Sequence, residues 1–423
     1  MRLLYSLIWW LILPLAIARL YIRGRKEPGY RQHIPERLGF FPPVASPKRR
    51  IWVHAVSVGE TRAAEPLVRA LLSRYPDCDI LLTHMTPTGR ATGRSLFERE
   101  KRLMQAYLPY DTNWMMSRFI RHFQPSLCIL LETEIWPNLI SQCVKYRVPL
   151  ALVNARLSER SLKKGKKLES IMNEAAQGFS VVAAQTKTDA DRLSQFGAPN
   201  IAVTGSVKFD ITPPDDAIEK GKLLRKCMGE RPVLMCASTR DGEENLILDS
   251  LDHLDKRALL LLVPRHPQRF SEVADQIQAR KIPMMKRSQL KDLSPDSIPD
   301  TIRIVLGDSM GEMFMYYAAC DVAFIGGSLL KLGGQNLIEA CALGKPVLIG
   351  PHTFNFEAIT KDAIRAGAAI RIQTASEMMA EADTLFSKHT LRTEMGMKAQ
   401  EFAQNQHGAT DRTMALLAPL LEK

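Results

Sequence analysis

Residues 326–356 read GGSLLKLGGQNLIEACALGKPVLIGPHTFNF. An apolar run from Asp321 to Ile325 ends at the first glycine pair of this stretch, and a second pair, Gly333-Gly334, opens a helical pattern. Pro346 then begins another apolar run that stops at Gly350-Pro351. The pattern predicts a strand, a glycine loop, a helix, a strand and a second glycine loop.

This arrangement is typical of nucleotide sites. Glycine pairs ahead of a helix let the backbone approach a ligand closely, and the helix N-terminus offers N–H groups to an anion. We predict that Asn336 and Glu339 lie in the first turn, where a carboxylate can accept hydrogen bonds from ribose hydroxyls. The alternative is that the glycines only make tight turns and that these two polar residues only cap the helix.

Working outward, short apolar runs alternate with helical patterns through most of the chain. Uninterrupted apolar runs between helices indicate parallel sheets covered on both faces. The sequence therefore predicts an α/β fold of two doubly wound, Rossmann-like domains that face each other across a cleft, with ligands at the carboxyl ends of the strands. The predicted strands are 51–56, 79–84, 127–132, 149–154, 179–185, 232–238, 258–264, 303–306, 321–327, 346–351 and 368–372.

The domain boundaries follow from where the alternation of apolar runs and helical patterns is interrupted. A chain of 423 residues is too long for a single compact core. Two prolines and a charge cluster predict a linker at 206–216. We predict a membrane-anchoring segment at 1–26, a first α/β domain at 27–205 and a second α/β domain with terminal helices at 217–423.

The N-terminal segment is nearly all apolar over residues 3–18, with Trp9 and Trp10 inside it. With the residues that follow, it reaches about 20 residues, the length that spans or deeply enters a bilayer. More basic residues follow it than precede it, which predicts that the rest of the protein stays cytoplasmic; they are Arg19, Arg23, Arg25 and Lys26. The competing interpretation is a cleaved signal peptide, since residues 16–18 resemble a cleavage site.

Charge and cysteine content narrow the class of protein. The formal net charge of +12 suits nucleic acid, anionic lipid or a phosphorylated substrate. Aromatic residues make up only 7% of the chain and no nucleic-acid motif is present in the sequence, so we expect no nucleic-acid partner. The seven cysteines are scattered without a CxxC pair, which indicates buried thiols in a reducing compartment. We expect neither a metal nor a cofactor.

Polar residues follow several predicted strands of the first domain. Ser57 and Glu60 have capping-box spacing, so one role is to satisfy the start of the next helix. The alternative role for Glu60 is that of a general base whose proton affinity is raised by partial desolvation. Glu132 and Glu134 follow another strand, and we predict that they are structural.

Similar corners occur in the second domain. Arg265 and His266 lie between two prolines after a strand, and an arginine there can bind a phosphate or carboxylate at two points. Ser309 and Glu312 again have capping-box spacing. Several of these polar loops follow strands whose ends lead to one crevice. A purely structural role explains a single such loop more readily than it explains all of them.

Taken together, these motifs resemble those of a known family. WVHAVSVGE, ETEIWPN, GSVKFD, VPRHPQRF, GDSMGEM, GGSLLKLGGQN and GPHTFNF, in this order, are similar to motifs of the bacterial 3-deoxy-D-manno-octulosonic acid (Kdo) transferases of lipopolysaccharide synthesis. The resemblance runs from the N-terminal segment to about Phe356. It implies a GT-B glycosyltransferase that moves Kdo from CMP-Kdo to a lipid A precursor, with inversion, at the cytoplasmic face of the inner membrane.

The resemblance also implies that the domain at 27–205 binds the acceptor and that the domain at 217–423 binds the CMP-sugar, and it implies site residues. The catalytic base of the family falls on Glu60 in SVGE. Its CMP-Kdo contacts fall on Pro264, Arg265, His266, Met310, Gly311, Glu312, Asn336, Leu337, Ile338 and Glu339.

Three positions depart from the family pattern. Gln335 stands where histidine is usual, and glutamine keeps hydrogen-bonding capacity but carries no titrating charge. Arg240 also replaces a common histidine, and Leu337 replaces a proline near the predicted helix start. These departures put in doubt any role for position 335, while the predicted CMP site stands.

Two other functions remain open, namely a GT-B enzyme that uses a UDP-sugar and a non-enzymatic, membrane-anchored nucleotide-binding protein. The run 156–167, RLSERSLKKGKK, is predicted to be either a basic patch facing the membrane or acceptor, or a solvated helix face.

Overall fold

The computed structural model describes residues 2–25, 27–44, 48–290 and 293–422. Lys26, predicted to flank the apolar segment, lies outside the described residues. The chain forms two compact units, one of Met1–Asp210 together with Gly408–Lys423 and one of Ile211–His407.

The first unit is built on a parallel sheet of seven described strands in the order β3-β2-β1-β4-β5-β6-β7. The strands are β1 (Arg49–His54), β2 (Cys78–His84), β3 (Leu103–Tyr107), β4 (Pro125–Leu131), β5 (Leu150–Ala155), β6 (Val181–Ala184) and β7 (Ile201–Val203). The helices are α1 (Arg2–Arg23), α2 (Ile34–Arg37), α3 (Val58–Arg74), α4 (Pro87–Leu96), α5 (Asn113–Phe123), α6 (Pro137–Lys145), α7 (Glu159–Lys166), α8 (Glu169–Gln177) and α9 (Lys187–Ser194), with 3-10 turns at Pro28–Arg31 and Val207–Phe209.

The second unit repeats the plan with the order β10-β11-β9-β8-β12-β13-β14, again parallel throughout. Its helices are α10 (Asp215–Cys227), α11 (Glu243–Asp249), α12 (Phe270–Ala279), α13 (Met313–Ala319), α14 (Ile338–Ala342), α15 (Glu357–Arg365), α16 (Ala375–Ser387) and α17 (His389–Gln406), with 3-10 turns at Leu251–His253, Pro267–Arg269 and Arg287–Gln289. Its strands are β8 (Val233–Thr239), β9 (Leu259–Pro264), β10 (Met284–Lys286), β11 (Ile304–Leu306), β12 (Val322–Ile325), β13 (Val347–Ile349) and β14 (Ala369–Arg371).

Alternating side chains of the central strands enter two different cores. In β1, Trp52 packs with α5 and α6, whereas Ile51 and Val53 pack on the opposite face with α3. Both faces of the strand are therefore buried, which explains the uninterrupted apolar runs of the sequence. The prediction of a doubly wound α/β fold is confirmed.

Each sheet has a topological switch point, between β1 and β4 in the first unit and between β8 and β12 in the second. Connections leave these two neighbouring strands in opposite directions, so a crevice opens at their carboxyl ends, and ligands of open α/β sheets bind there. Glu60 follows β1, and Glu132 follows β4. In the second unit, Arg240 follows β8, and the loop that begins at Gly326 follows β12.

Three strands, β3, β7 and β10, were absent from the sequence prediction. All three are edge strands, and their residues are mostly half-buried or exposed. An edge strand that contacts solvent lacks the continuous apolar run by which buried strands are recognised.

The C-terminal residues belong to the first unit, whereas the sequence assigned all of 217–423 to the second domain. The last helix, α18 (Ala409–Leu421), packs Met414 and Leu417 into the core that contains Ile51. The carboxylate of Asp210 accepts N–H hydrogen bonds from Gly408 at 2.7 Å and Ala409 at 3.2 Å, and it also caps Thr410. This capping and packing hold α18 on the first unit.

The predicted linker, 206–216, contains the division between the units, but much of it is ordered structure. Residues Val207–Phe209 form a 3-10 turn, Asp210 caps α18, and Asp215 already begins α10.

The apolar N-terminal segment forms α1, of which residues Leu4–Arg23 have the length and composition to cross a membrane. It is grouped with the first unit, and its Leu13 and Leu20 form a small cluster with Tyr110 and Met115.

Candidate active site

The corner after β1 places Glu60 in the first turn of α3. Ser57 is the N-cap residue, and its Oγ accepts from the Glu60 N–H at 3.5 Å and donates to Glu60 Oε1 at 3.2 Å. The Val56 N–H donates to Glu60 Oε2 at 2.6 Å. The capping interpretation of Ser57 and Glu60 is thus correct as local structure.

The capping contacts do not exclude acid–base chemistry at Glu60. The pKa of Glu60 is raised to about 7, mainly by burial. The hydrogen bond from the Val56 N–H lowers this pKa, whereas the negative charges of Glu134 and Glu132 raise it. A carboxyl group with a pKa near neutrality is divided between its acid and base forms at physiological pH, which is the condition for efficient general-base catalysis.

Glu132 and Glu134 follow β4, the neighbour of β1. Glu132 adopts a left-handed backbone conformation with φ 60° and forms an ion pair with Lys208. Glu134 accepts a hydrogen bond from the indole N–H of Trp136 at 2.7 Å, and burial raises its pKa. Both side chains have structural partners, and together they place negative charge close to Glu60.

In the second unit, a buried carboxylate organises the glycine loop after β12. Glu243 Oε2 accepts from the N–H groups of Gly327 at 2.5 Å and Arg240 at 2.9 Å. Its Oε1 accepts from the N–H groups of Ser328 and Leu329, both at 2.9 Å. One side chain therefore fixes the loops after β8 and β12 against each other.

Sequence reasoning missed this role of Glu243. The available signal was the pair Glu243-Glu244 directly after the polar segment CASTRDG. One acidic residue is enough to cap the start of a helix, so the second indicates another role. Glu244 is also buried and forms an ion pair with Arg269 at 3.0 Å.

Close backbone approaches connect the two ends of the stretch 326–356. The Ser328 hydroxyl accepts from the Gly350 N–H at 2.8 Å, and the His352 N–H donates to the Ser328 carbonyl at 2.9 Å. A methyl group on Gly350 would lie 2.3 Å from the Ser328 carbonyl oxygen. The glycine at position 350 is therefore required by packing.

The predicted helix of this stretch is shorter than expected. It begins at Ile338, so Asn336 lies before the helix, and the prediction that it is in the first turn is wrong. The Asn336 side chain instead accepts from the Ile338 N–H at 3.1 Å. Glu339 does lie in the first turn, whereas the side chains of Leu337 and Ile338 are fully buried. Because the whole residues, backbone included, are inaccessible, Leu337 and Ile338 are not surface contacts for a ligand in this structure.

Two of the three departures from the family pattern, Arg240 and Gln335, lie together. A methyl group built on Gly327 would lie 3.3 Å from the Gln335 amide nitrogen and 3.5 Å from the Arg240 side chain. Arg240 and Gln335 thus flank the same glycine at the end of β12.

The corner after β9 holds Pro264, Arg265 and His266. Pro264 is buried, whereas Arg265 and His266 are exposed, and the Arg265 N–H donates to the Thr239 carbonyl at 2.9 Å. Desolvation lowers the pKa of His266, and the positive charges of Arg240, Arg265 and Arg269 lower it further. Because all three arginines lower the pKa of His266, positive charge is concentrated around this loop, which suits an anionic ligand.

The corner after β11 carries Met310, Gly311 and Glu312. Met310 is exposed, and Gly311 has φ +81° with no described atom within 4 Å of an added methyl group. Glu312 is itself the N-cap residue of α13, so the predicted capping box with Ser309 is wrong. Its carboxylate instead accepts from the Ser309 hydroxyl and pairs with Arg287 at 3.0 Å.

The end of β9, the loop after β11 and the segment between β12 and the first turn of α14 thus carry all the predicted donor-binding residues of the second unit. The first unit brings Glu60, Glu132 and Glu134 together at its own switch point.

Comparisons with known proteins identify the family of the chain. A family profile described as "3-Deoxy-D-manno-octulosonic-acid transferase (kdotransferase)" matches residues 32–211. The 3-deoxy-D-manno-octulosonic acid transferase of Bordetella pertussis is 45% identical over 384 residues, which cover 89% of this chain and 87% of that protein. The protein of the same name from Haemophilus influenzae is 36% identical over 431 residues, 100% of this chain and 99% of that protein.

Among solved structures, UDP-GlcNAc 2-epimerase from Neisseria meningitidis aligns with a TM-score of 0.59 at 14% identity, over 88% of this chain and 100% of that chain. This likeness concerns the fold alone, and it confirms the predicted GT-B class.

Proposed function

Since the chain belongs to the family of 3-deoxy-D-manno-octulosonic acid transferases and is therefore a glycosyltransferase, we propose that it transfers Kdo from CMP-Kdo to a lipid A precursor. The observation that carries this proposal is the partly buried carboxyl of Glu60, with a pKa of about 7, at the switch point of the first unit.

In the proposed reaction, Glu60 is the general base. It takes the proton from an acceptor hydroxyl as that oxygen attacks the anomeric carbon of Kdo. The bond between this carbon and the phosphate oxygen breaks, and CMP leaves with the electron pair. Such a direct displacement inverts the anomeric centre.

The second unit is proposed to bind the donor. Arg265 and His266, at the end of β9, offset phosphate charge as CMP departs, which is a task of positioning and electrostatic stabilisation. Backbone groups of Met310 and Gly311 contact the nucleotide, whereas the fully buried Leu337 and Ile338 hold the start of α14 in the core. Glu312 and Glu339 orient its hydroxyl groups, and Asn336 holds the turn at Ile338.

The proposed location is the inner membrane, with both units in the cytoplasm. The apolar helix α1 supplies the membrane contact. The basic run 156–167 contains α7, where Leu162 is buried and the lysines are exposed. We propose that this face attracts anionic lipid or the acceptor phosphates, each lysine near the surface contributing about 1 kcal/mol.

The test is to incubate the purified protein with CMP-Kdo and a lipid A precursor and to follow the acceptor by mass spectrometry. We expect a mass increase of one or more Kdo residues. Transfer from a UDP-sugar instead would support the alternative donor class, and donor binding without transfer would support a non-enzymatic nucleotide-binding protein. A parallel incubation with the Lys163→Glu/Lys164→Glu variant and anionic vesicles tests the basic face, because unchanged vesicle affinity would contradict its role.

A further inference from the structure

Helix α1 contacts the first unit along its whole length. Its least exposed side chains recur every three or four residues, at Arg2, Tyr5, Ser6, Trp9, Leu13, Ala16, Ile17 and Leu20. This spacing is one face of an α-helix. At 1.5 Å per residue, the part of α1 from Arg2 to Leu20 extends over about 28 Å. One continuous face of that length lies on protein.

Polar contacts fix the N-terminal end of α1. The Tyr5 hydroxyl donates to Asp111 at 2.9 Å, and the Ser6 hydroxyl donates to Asn138 at 3.0 Å. Asp111 is buried and also accepts from the N–H of Leu139 at 2.8 Å, at the start of α6. Arg2 forms an ion pair with Glu174 of α8. These groups make specific contacts, unlike a helix end surrounded by lipid.

The C-terminal end of α1 is held by the same unit. Leu20 lies in the cluster with Tyr110 and Met115. The guanidinium of Arg31 donates to the carbonyl of Tyr21 at 3.0 Å. Both ends of the helix are therefore tied to one protein body.

The opposite face of α1 is apolar and open. Its exposed large side chains are Leu4, Leu7, Ile8, Trp10, Leu11, Ile12, Leu15, Tyr21 and Ile22, with Leu11 70% and Leu15 69% exposed. A contiguous apolar surface of this extent marks a site of interaction with a membrane or a protein.

An exposed aromatic pair lies next to this helix. The rings of Phe40 and Trp114 are 5.8 Å apart, and the Arg118 guanidinium lies 4.6 Å from one ring centre and 5.0 Å from the other. The residues on both sides of Trp114 contact α1, since Asn113 donates to Ser6 at 3.3 Å and Met115 packs with Leu13. Tryptophan beside a cation is typical of the interface between lipid headgroups and acyl chains.

We infer that α1 lies in the plane of one membrane leaflet and does not cross the bilayer, and that Phe40, Trp114 and Arg118 extend the lipid-contacting surface of the first unit. The occupant of this surface is a bilayer containing anionic lipid. An in-plane helix buries its apolar face by about 5–10 Å at the headgroup boundary. A crossing helix would have to give up its contacts with Asp111 and Asn138, or draw α5 and α6, whose last turns carry Arg121 and Lys145, into hydrocarbon.

The inference rests on the membrane location proposed above, so the first measurement is flotation of the wild-type protein with vesicles of phosphatidylethanolamine and phosphatidylglycerol. Binding without Kdo transfer would contradict the enzymatic proposal and leave the arrangement of α1 open to the next measurement. Failure to bind would overturn both the location and the inference.

The arrangement is tested by labelling the full chain in these vesicles with a membrane-impermeant maleimide. The seven native cysteines are all buried, which keeps background labelling low. Arg2→Cys reports the N-terminal end of α1, and Ser73→Cys, at an exposed position of α3, reports the body of the first unit. We expect the two variants to be labelled to the same extent, within about twofold, before detergent is added.

Labelling of Arg2→Cys only after detergent, with Ser73→Cys labelled before it, would show a crossing helix and overturn the inference. Quenching of tryptophan fluorescence by lipids brominated near the headgroup provides a second test that needs no cysteine variant. We expect Trp114→Phe to remove part of this quenching. No loss of quenching in Trp114→Phe, together with disulfide-linked dimers of Arg2→Cys, would instead identify a second copy of the chain as the occupant.

Discussion

The Oε2 atom of Glu243 accepts a hydrogen bond from the N–H of Gly327 at 2.5 Å. This contact joins the loop after β8 to the glycine loop after β12, and the same carboxylate also holds Ser328 and Leu329. The shape of the proposed donor site therefore depends on one buried charge.

Glu243→Gln should destabilise the second unit by about 3 kcal/mol, because an amide turns an N–H₂ group toward N–H donors and leaves buried groups unsatisfied. CMP-Kdo affinity should fall as well. All five tryptophans lie in the first unit, at positions 9, 10, 52, 114 and 136. The midpoint of urea unfolding should therefore shift more when it is monitored by circular dichroism than when it is monitored by tryptophan fluorescence. Glu272→Gln, which removes a partly exposed partner of Arg269, is the matched control and should change stability by less than about 1 kcal/mol.

Gly350→Ala should disrupt the same unit through steric overlap. The added methyl group would lie 2.3 Å from the Ser328 carbonyl oxygen and 2.4 Å from its carbon, and both are backbone atoms that cannot move independently. We expect a loss of about 3 kcal/mol in circular-dichroism unfolding. Gly229→Ala, which has φ +67° but meets only the flexible Asp296 side chain at 3.2 Å, should lose about 1 kcal/mol. Equal losses in the two variants would contradict this packing account.

Gly59→Ala should have the opposite effect on stability. Gly59 is exposed in the first turn of α3, and the nearest described atom to an added methyl group, outside the helix backbone, is Ser57 Oγ at 3.9 Å. Alanine in a helix is favoured over glycine by about 0.5–1 kcal/mol. If the missing side chain instead leaves room for the acceptor beside Glu60, the KM for the acceptor should rise by about tenfold, which equals about 1.4 kcal/mol of lost binding. A more stable variant with unchanged kinetics would remove any functional reason for this glycine.

The central strands and polar corners could be predicted from the sequence because buried parallel strands are continuously apolar and glycine or proline residues mark their ends. The edge strands β3, β7 and β10 could not, since their mostly half-buried side chains do not form such a run. The position of α18 depends on Asp210, which lies about 200 residues earlier in the sequence. The role of Glu243 also depends on a distant contact, with residues 84 to 86 positions away. Periodicity and local spacing carry no information about such pairings.

The pH dependence of transfer provides a test of the environment of Glu60. Its pKa is raised to about 7, so its native-state contribution to stability is present below the ordinary glutamate pKa and is lost as the pH rises through about 7. A base must be deprotonated, and kcat/KM should therefore rise with pH on an acidic limb centred near pH 7.

Glu134→Gln should move this acidic limb to lower pH. The substitution removes one negative charge that raises the pKa of Glu60, while the amide oxygen can still accept the Trp136 N–H. The loss of one such charge–charge interaction near the protein surface should shift the midpoint of the limb by up to about one pH unit. An unchanged midpoint would mean that a group other than Glu60 controls the limb. Glu159→Gln, at an exposed position of α7 where the carboxylate pairs with Lys163, is the control and should leave the midpoint unchanged.

The most direct test of the central claim is single-turnover transfer from CMP-Kdo to a lipid A precursor by the Glu60→Gln variant. Glutamine can still accept the Val56 N–H, so the fold and CMP-Kdo binding should be unchanged. The rate should fall by about 10²–10⁴-fold, the usual contribution of a general base. A Glu60→Gln rate within a few fold of the wild type, with normal donor binding, would contradict the assignment of Glu60 as the base.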